Sequence, residues 1–219
     1  MKRINNLYPT ICSIENLQVA DSNASKGKSN QYGVLLHNQN KENNLLQLSQ
    51  DLLSKTYRTS PYKTFIIHEP KEREIYKLPY FPDRIVHHAV LNIIEETFVK
   101  SFVRDTYSCI KNRGVHKALC TLKRDLNKEK ETYYCLKLDI KKFYPSINNE
   151  ILKSLLRKKF KDNDLLNILD EIIDSNQGLP IGNYLSQFFA NFYLTYFDHW
   201  LKEKLGVKHY FRYCDDLVI

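Results

Sequence analysis

His209-Tyr-Phe-Arg-Tyr-Cys-Asp-Asp-Leu-Val-Ile219 is the stretch on which the fold reading turns. Both ends are apolar and β-prone, and Cys214-Asp-Asp216 between them is short and polar, so the segment reads as strand, tight turn, strand. A turn between two apolar strands ordinarily takes Asn-Gly or Asp-Gly. Two adjacent carboxylates repel there unless a cation lies close by. The pair alone carries little, because 13 Asp in 219 residues place about one Asp-Asp in the chain by chance. Context decides. Upstream, Tyr133-Tyr-Cys-Leu-Lys-Leu138 reads as another apolar strand with Asp139 at its end. If the tail hairpin lies beside that strand, Asp139 and Asp215 meet at one end of a small sheet. Such hard oxygens suit Mg²⁺. Two such ions about 3.5–4 Å apart, sharing carboxylates, form an apparatus for in-line attack on phosphate. The bland alternative has Asp139 capping a turn and Asp215-Asp216 solvated.

Working outward, the segment 184–204 reads as one long apolar helix stopped by Gly206, preceded by a turn at Gly178-Leu-Pro-Ile-Gly182. Two helices near 148–160 and 164–174 come before that turn, and another covers 115–129. Pro82-Asp83 opens a buried helix through Ile85, Val86, Ala89, Val90, Ile93, Ile94 and Phe98. Residues 62–78 read as a hairpin with a charged tip, Glu69-Pro-Lys-Glu-Arg73. A clearer helix spans about 42–54, and a short helical pattern holds Ile11, Ile14 and Leu17. Between those two, residues 21–44 are the most linker-like stretch of the chain. The order is mostly helical at first, then β–αα–α–ββ, which is an α+β pattern with a small, largely antiparallel sheet.

Composition removes several classes. No apolar run approaches the roughly 18 residues of a membrane helix, and the Met-Lys-Arg start leads into polar sequence, so no membrane partner is expected. Five cysteines, odd in number and without Cys-x-x-Cys, argue against a disulfide scaffold or zinc ribbon and fit a cytoplasmic location. The net charge of +8 suggests a polyanionic partner, weakly. His87-His88 and His116 lack partners at ligand spacing, and Trp200 reads as packing.

The motifs carry a resemblance. Leu138-Asp-Ile-Lys-Lys-Phe-Tyr-Pro-Ser-Ile147 resembles the first palm motif of reverse transcriptases, and Tyr213-Cys-Asp-Asp216 resembles their Tyr-x-Asp-Asp box. Gly178-Leu-Pro-Ile-Gly-Asn-Tyr-Leu-Ser-Gln-Phe-Phe-Ala-Asn-Phe-Tyr-Leu194 resembles the motif that positions template and primer. Pro82-Asp-Arg-Ile-Val-His-His-Ala89 resembles the fingers motif of the group II intron and retron-like enzymes. One departure points to a subgroup. Most of the family carries Gln-Gly-x-x-x-Ser-Pro where this chain reads Ile181-Gly182-x-x-x-Ser186-Gln187, which is similar to the enzymes of diversity-generating retroelements. Gln177 stands four residues too early to be the missing Gln.

The resemblance implies RNA-directed DNA polymerase activity in a right-hand fold, with an N-terminal extension at 1–40, fingers at 41–132 and palm at 133–219. Helices would pack on a small antiparallel sheet. It implies Asp139 and Asp215 as ligands of two Mg²⁺ ions (Mn²⁺ being an alternative), the Ile140 carbonyl as a further ligand, and Asp216 as a lesser one. Tyr144 matches the position of a ring that blocks a ribose 2′-hydroxyl, its alternative being a core aromatic beside Phe143. Arg73 and Lys71 would take the incoming triphosphate, with Ile181 near the nascent base pair. Arg84, Arg113, Gly182, Ser186, Gln187 and Tyr213 would hold template and primer. Arg84 could equally pair with Asp83, and Gly182 would admit a base pair close to the backbone. The partners implied are a template RNA, a DNA primer, dNTPs and a small basic accessory protein.

Other settings stay open: a retron, group II intron or phage-defence enzyme, or a catalytically incomplete nucleic-acid-binding remnant. The resemblance further implies that the thumb is absent from these 219 residues, that the isolated chain performs little processive synthesis, and that the last strand leaves an unpaired apolar sheet edge.

Overall fold

Three helices of this chain begin where a side chain takes over orphaned amides. Ser13 accepts from the Asn16 amide at 3.3 Å, Asn148 from Ile151 at 3.0 Å, and Asp162 from Leu165 at 3.1 Å. Each of those helices carries an acid in its first turn (Glu15, Glu150, Asp164), which the helix dipole favours. The computed structural model describes residues 3–68, 71–128 and 130–219.

The N-terminal elements are α1 (Tyr8–Cys12), α2 (Ile14–Ser25), α3 (Tyr32–Asn38) and α4 (Lys41–Leu53), followed by the antiparallel hairpin β1 (Lys63–Ile67) and β2 (Arg73–Lys77). Of the expected charged tip, Glu69 and Pro70 lie outside the described residues. A wide turn at Tyr80–Arg84 leads into α5 (Ile85–Ser101), and then come α6 (Val115–Leu126), β3 (Lys137–Asp139) and α7 (Phe143–Ser146). The remainder is α8 (Asn149–Lys159), α9 (Asn163–Asp174), α10 (Tyr184–Tyr193), α11 (Thr195–His199), β4 (Phe211–Tyr213) and β5 (Asp216–Val218). The class is α+β. Among the described residues no helix is long and apolar enough to cross a membrane, and all five thiols are free.

The chain forms two compact units, each made of two segments: Met1–Glu95 with Asn148–Ser186, and Glu96–Ile147 with Gln187–Ile219. In the first, α9 buries Leu165, Leu166, Ile168, Leu169, Ile172 and Ile173, and α8 buries Leu152, Leu155 and Leu156. Arg157 Nη1 on α8 reaches Asp170 Oδ1 on α9 at 3.0 Å. Asn16 of α2 donates to the carbonyls of Ile11 and Ala89, both at 3.0 Å, tying α2 to α5.

The linker expected at 21–44 is instead structured. Helix α2 runs to Ser25, α3 occupies 32–38, and Val34 is buried. The reason is polar. Asp21, 2% exposed, receives Tyr80 Oη at 2.5 Å and Lys41 Nζ at 2.5 Å, with His37 Nε2 at 3.3 Å. Burial alone would raise this carboxyl, but His37, Lys41 and Tyr80 together hold it well below the ordinary range. Polar residues that look like linker are here the interior of a charge-assisted network.

In the second unit the sheet order is β3-β5-β4, all antiparallel. Strand β5 is therefore central, with Leu217 buried beside Val103, Leu201 and Tyr210. Ile219 exchanges both backbone bonds with Leu136, at 2.8 and 2.9 Å. The outer side of β4 is occupied too: Arg212 N–H donates to Asp105 O and Tyr107 N–H to Arg212 O, each at 2.9 Å. The last strand is thus not the exposed edge that the sequence suggests; β3 is the more open strand, its residues all exposed. Strand β3 is also shorter than the 133–138 run, and Tyr133 and Tyr134 are exposed, packed edge to face against each other.

One further expectation changes. The helix at 184–204 is broken at Leu194 and finishes as a wide turn over Trp200–Lys204. Trp200 packs at the surface, about half exposed and stacked on Phe197 at 6.1 Å. Helix α6 buries no residue, although Val115, Leu119 and Leu126 recur at helical spacing.

Asp162 ties the two segments of the first unit together. Its Oδ2 accepts from the Leu7 and Tyr8 amides at 2.7 and 3.0 Å while Oδ1 caps α9. Burial opposes ionisation, but these backbone donors outweigh it and lower the pKa. A carboxyl lowered on folding stabilises the fold above its unfolded pKa of about 3.9 and loses that contribution as the pH falls through the folded value. Asp162→Ala is expected to cost about 2 kcal/mol at pH 7, read from the urea midpoint, and to flatten the acid limb of stability. An unchanged midpoint would show that the cap contributes nothing.

Candidate active site

Strand register places the acids. Asp139 at the end of β3 lies directly across from Asp216 at the start of β5, and Asp216 in turn pairs with Tyr213 of β4. The direct cross-strand partner of Asp139 is therefore Asp216, with Asp215 beside it in the two-residue loop Cys214-Asp215. Directly opposed residues share a face of the sheet. Asp139 and Asp216 are exposed and Asp215 is half-buried. Among the described residues none of the three forms an ion pair. Oxygen-only donors without a neutralising cation fit a hard divalent ion. No three acidic, His or Cys side chains among the described residues converge as a ready metal cluster, so an ion would have to draw these carboxylates together. Ile140 anchors the strand end by packing on the core around Leu217.

Behind the turn, Tyr144 sits on α7, half-buried and edge-on to Phe143 at 5.8 Å. Cys214 Sγ donates to its hydroxyl at 3.5 Å. Burial first, then Cys214, pushes the Tyr144 phenol up, so it is neutral at any working pH. Burial likewise pushes the Cys214 thiol up to about 11, which makes it inert as a nucleophile. Tyr213 is exposed at the end of β4.

The first unit gathers a second group. Arg73 opens β2 opposite Ile67 and is exposed, as is Lys71 before it. The Tyr76 amide donates to the Ile181 carbonyl at 2.8 Å, which fixes the turn at 178–182 against β2. Gly182 has φ +116°, and a Cβ there would stand 2.9 Å from the Tyr76 carbonyl oxygen and 3.1 Å from Ile75 Cγ2. Its close approach within the protein is to strand β2, which by itself is a reason for glycine at this position. Asn149 locks the preceding loop, donating to the carbonyls of Ile173 and Asn176 at 2.9 and 2.8 Å and accepting from Gly178 at 3.2 Å. Ile181 is half-buried, Ser186 buried and Gln187 half-buried on α10.

Arg84 does not pair with Asp83. Asp83 is fully buried and accepts from Tyr57 Oη at 2.8 Å and the Ser60 amide at 3.0 Å. Arg84 is half-buried; neither it nor Lys28 has an ion-pair partner among the described residues. Burial, with the charges of Lys28 and Arg84, presses His88 down to about 4. The neutral His88 ring stacks on Tyr184 at 5.0 Å. Arg113 in the other unit donates to the Val103 carbonyl at 3.2 Å, so part of its guanidinium is engaged within the protein.

One cluster escaped the sequence reading. Arg212, fully buried in β4, pairs with the equally buried Asp198 of α11 at 2.6 Å. The available signal was an arginine in mid-strand between Phe211 and Tyr213, with an aspartate on an otherwise apolar helix upstream.

Residues 58–219 match the family described as reverse transcriptase (RNA-dependent DNA polymerase). The chain is similar to Protein YkfC of Escherichia coli, 25% identical over 72% of this chain and 45% of that protein. It is also similar to the group II intron-encoded protein LtrA of Lactococcus lactis, 25% identical over 72% of this chain and 28% of the relative. Nuclear intron maturase 4, mitochondrial, of Arabidopsis thaliana is 24% identical over 69% of the chain and 20% of its own length. The chain spans less than half of the length of each of these relatives. The family match takes in the hairpin, the 178–182 turn and the Asp-Asp loop together, and the chain belongs to the reverse transcriptase family, in the class that resembles group II intron-encoded proteins.

Proposed function

We propose that this chain supplies the fingers and palm of a right-hand polymerase that adds dNTPs to a primer 3′-hydroxyl on an RNA template. The observation that carries the reading is the register: Asp139 faces Asp216 across the ladder and Asp215 stands in the adjoining loop, without a cationic partner among the described residues. Asp139 and Asp215 would hold the ions, with Asp216 and the Ile140 carbonyl as further oxygen donors. When bound, two Mg²⁺ supply activation of the primer hydroxyl and charge neutralisation on the leaving pyrophosphate. Tyr144, braced by Phe143 and kept neutral by burial, would exclude a ribose 2′-hydroxyl by bulk and not by charge. Arg73 and Lys71, exposed on β2 and just before it, would take the triphosphate, guanidinium suiting bidentate phosphate contact. Arg84, half-buried with no carboxylate partner among the described residues, fits a template phosphate, and Ser186, Gln187 and Tyr213 would hold template and primer. Arg113 has a weaker claim, since it serves the Val103 carbonyl.

For the setting, Ile181 and Gln187 support a diversity-generating retroelement, with a small basic accessory protein as partner. Ile181 offers a half-buried apolar side chain where the family's amide would restrain the nascent pair, and base selection would loosen. A second reading has its own support: the relatives named as an intron maturase and a group II intron-encoded protein favour an intron setting.

The tests belong on the intact polypeptide. Asp139→Asn or Asp215→Asn should each lower single-nucleotide addition with Mg²⁺ by about a thousandfold, since several kcal/mol of charge stabilisation are removed. A nucleic-acid-binding remnant would show no metal-dependent addition to lose. Tyr144→Ala should raise the use of rNTPs relative to dNTPs roughly 10–200-fold; an unchanged ratio would remove the ring from the discrimination step. Ile181→Gln should reduce misincorporation opposite template adenines on a defined RNA, and equal error rates for both proteins would sink the subgroup argument.

A further inference from the structure

The loop that carries Asp215 is backed by a buried charge. Cys214 occupies its first position with φ +59°, a left-handed conformation that costs a non-glycine residue of order 1 kcal/mol and persists when neighbours over-determine it. Its carbonyl accepts from Arg212 Nη1 at 2.9 Å. The same Nη1 donates to Asn191 Oδ1 at 3.0 Å, Nη2 donates to the Asn191 carbonyl at 3.2 Å and to Asp198 Oδ2 at 2.6 Å, and Nε is shared between Asp198 Oδ1 and Oδ2 at 2.9 and 3.1 Å. All five N–H donors of the guanidinium are thereby used.

The acceptors are themselves fixed. Asp198 Oδ1 receives Tyr210 Oη at 2.6 Å and Oδ2 receives Thr106 Oγ1 at 3.4 Å; Asn191 Nδ2 donates to the Ser108 carbonyl at 2.8 Å. Arg212, Asp198 and Asn191 are all buried. A buried ion pair is a poor source of net stability, because an apolar replacement of equal volume often does as well. What an apolar side chain cannot do is aim a donor at the Cys214 carbonyl.

We infer that Arg212 is a positioning residue that fixes the Cys214 carbonyl, and with it the direction in which the loop presents Asp215 and Asp216, while Asp198 and Asn191 orient the guanidinium. The consequence for metal binding rests on the functional reading above; the consequence for the loop does not. Lysine at 212 keeps the charge and can still meet Asp198, but a single ammonium cannot span Asp198, Asn191 and the loop carbonyl together. Partners of this kind, acting behind a ligand, typically govern affinity or activity by about 10–100-fold.

The experiment compares the intact protein with Arg212→Lys and with Asn191→Ala, the second removing one orienting acceptor while the charge pair stays intact. Amide hydrogen exchange is followed at residues 213–216 and at 187–193, and Mn²⁺ affinity is measured by electron paramagnetic resonance without nucleotide. Primer extension then separates kcat from the KM for dNTP. Faster exchange confined to 213–216, Mn²⁺ binding weakened about 10–100-fold and a lower kcat at constant KM are expected. Unchanged exchange in the loop of both variants overturns the inference, and so does uniform acceleration across both segments in both variants, the mark of a purely structural role. If the parent protein neither binds Mn²⁺ nor extends a primer, the polymerase reading fails, and loop exchange alone still decides the role of Arg212.

Discussion

The antiparallel register that sets Asp139 opposite Asp216 is the constraint on which the second unit depends. A one-residue slip would move every side chain of β3 to the other face, taking Asp139 away from the loop and Leu138 out of register with Leu217. The slip is opposed from both ends. Leu136 and Ile219 exchange two backbone bonds, and Leu217 is buried among Val103, Leu201 and Tyr210. On the far side, β4 is held by Asp105 and Tyr107 through its own backbone at Arg212. A short three-stranded sheet thereby gains a fixed frame, and its acids collect at the end where the hairpin turns.

Around that frame, apolar packing sets the elements and polar networks set their details. Burial of α8 and α9 makes the helical hairpin; Asp162 then decides where the N-terminal segment docks on it. The hairpin β1–β2 is set against the 178–182 turn by one amide, and only glycine at 182 tolerates the distance. In each case an inexpensive backbone contact fixes a position that hydrophobic burial, being non-directional, leaves free.

Legibility in the sequence follows the same division. Periodic apolar patterns disclosed α4, α5, α8 and α9 to within a few residues, and turn chemistry disclosed both hairpins, because these signals are local. The order of three acidic and glycine-bearing motifs disclosed the family. What stayed hidden was long-range and polar. Asp21 gives no local sign that Tyr80 and Lys41 converge on it, so the sequence of 21–44 resembles a linker. Leu194 interrupts the apolar run without a proline or glycine to mark the break. At Gly182 the backbone that comes near within the protein is that of Tyr76, a neighbour that sequence does not name. Arg212 is the sharpest case, a charge whose partners on α11 and α10 lie 14 and 21 residues away.

The central claim, that the carboxylates at this sheet end form a divalent-cation site, is tested most directly by anomalous scattering from crystals of the intact protein soaked in Mn²⁺. The account predicts an anomalous peak within bonding distance of the carboxylates of Asp139 and Asp215. A protein that extends a primer on RNA while showing Mn²⁺ elsewhere, and none between those two side chains, would contradict it.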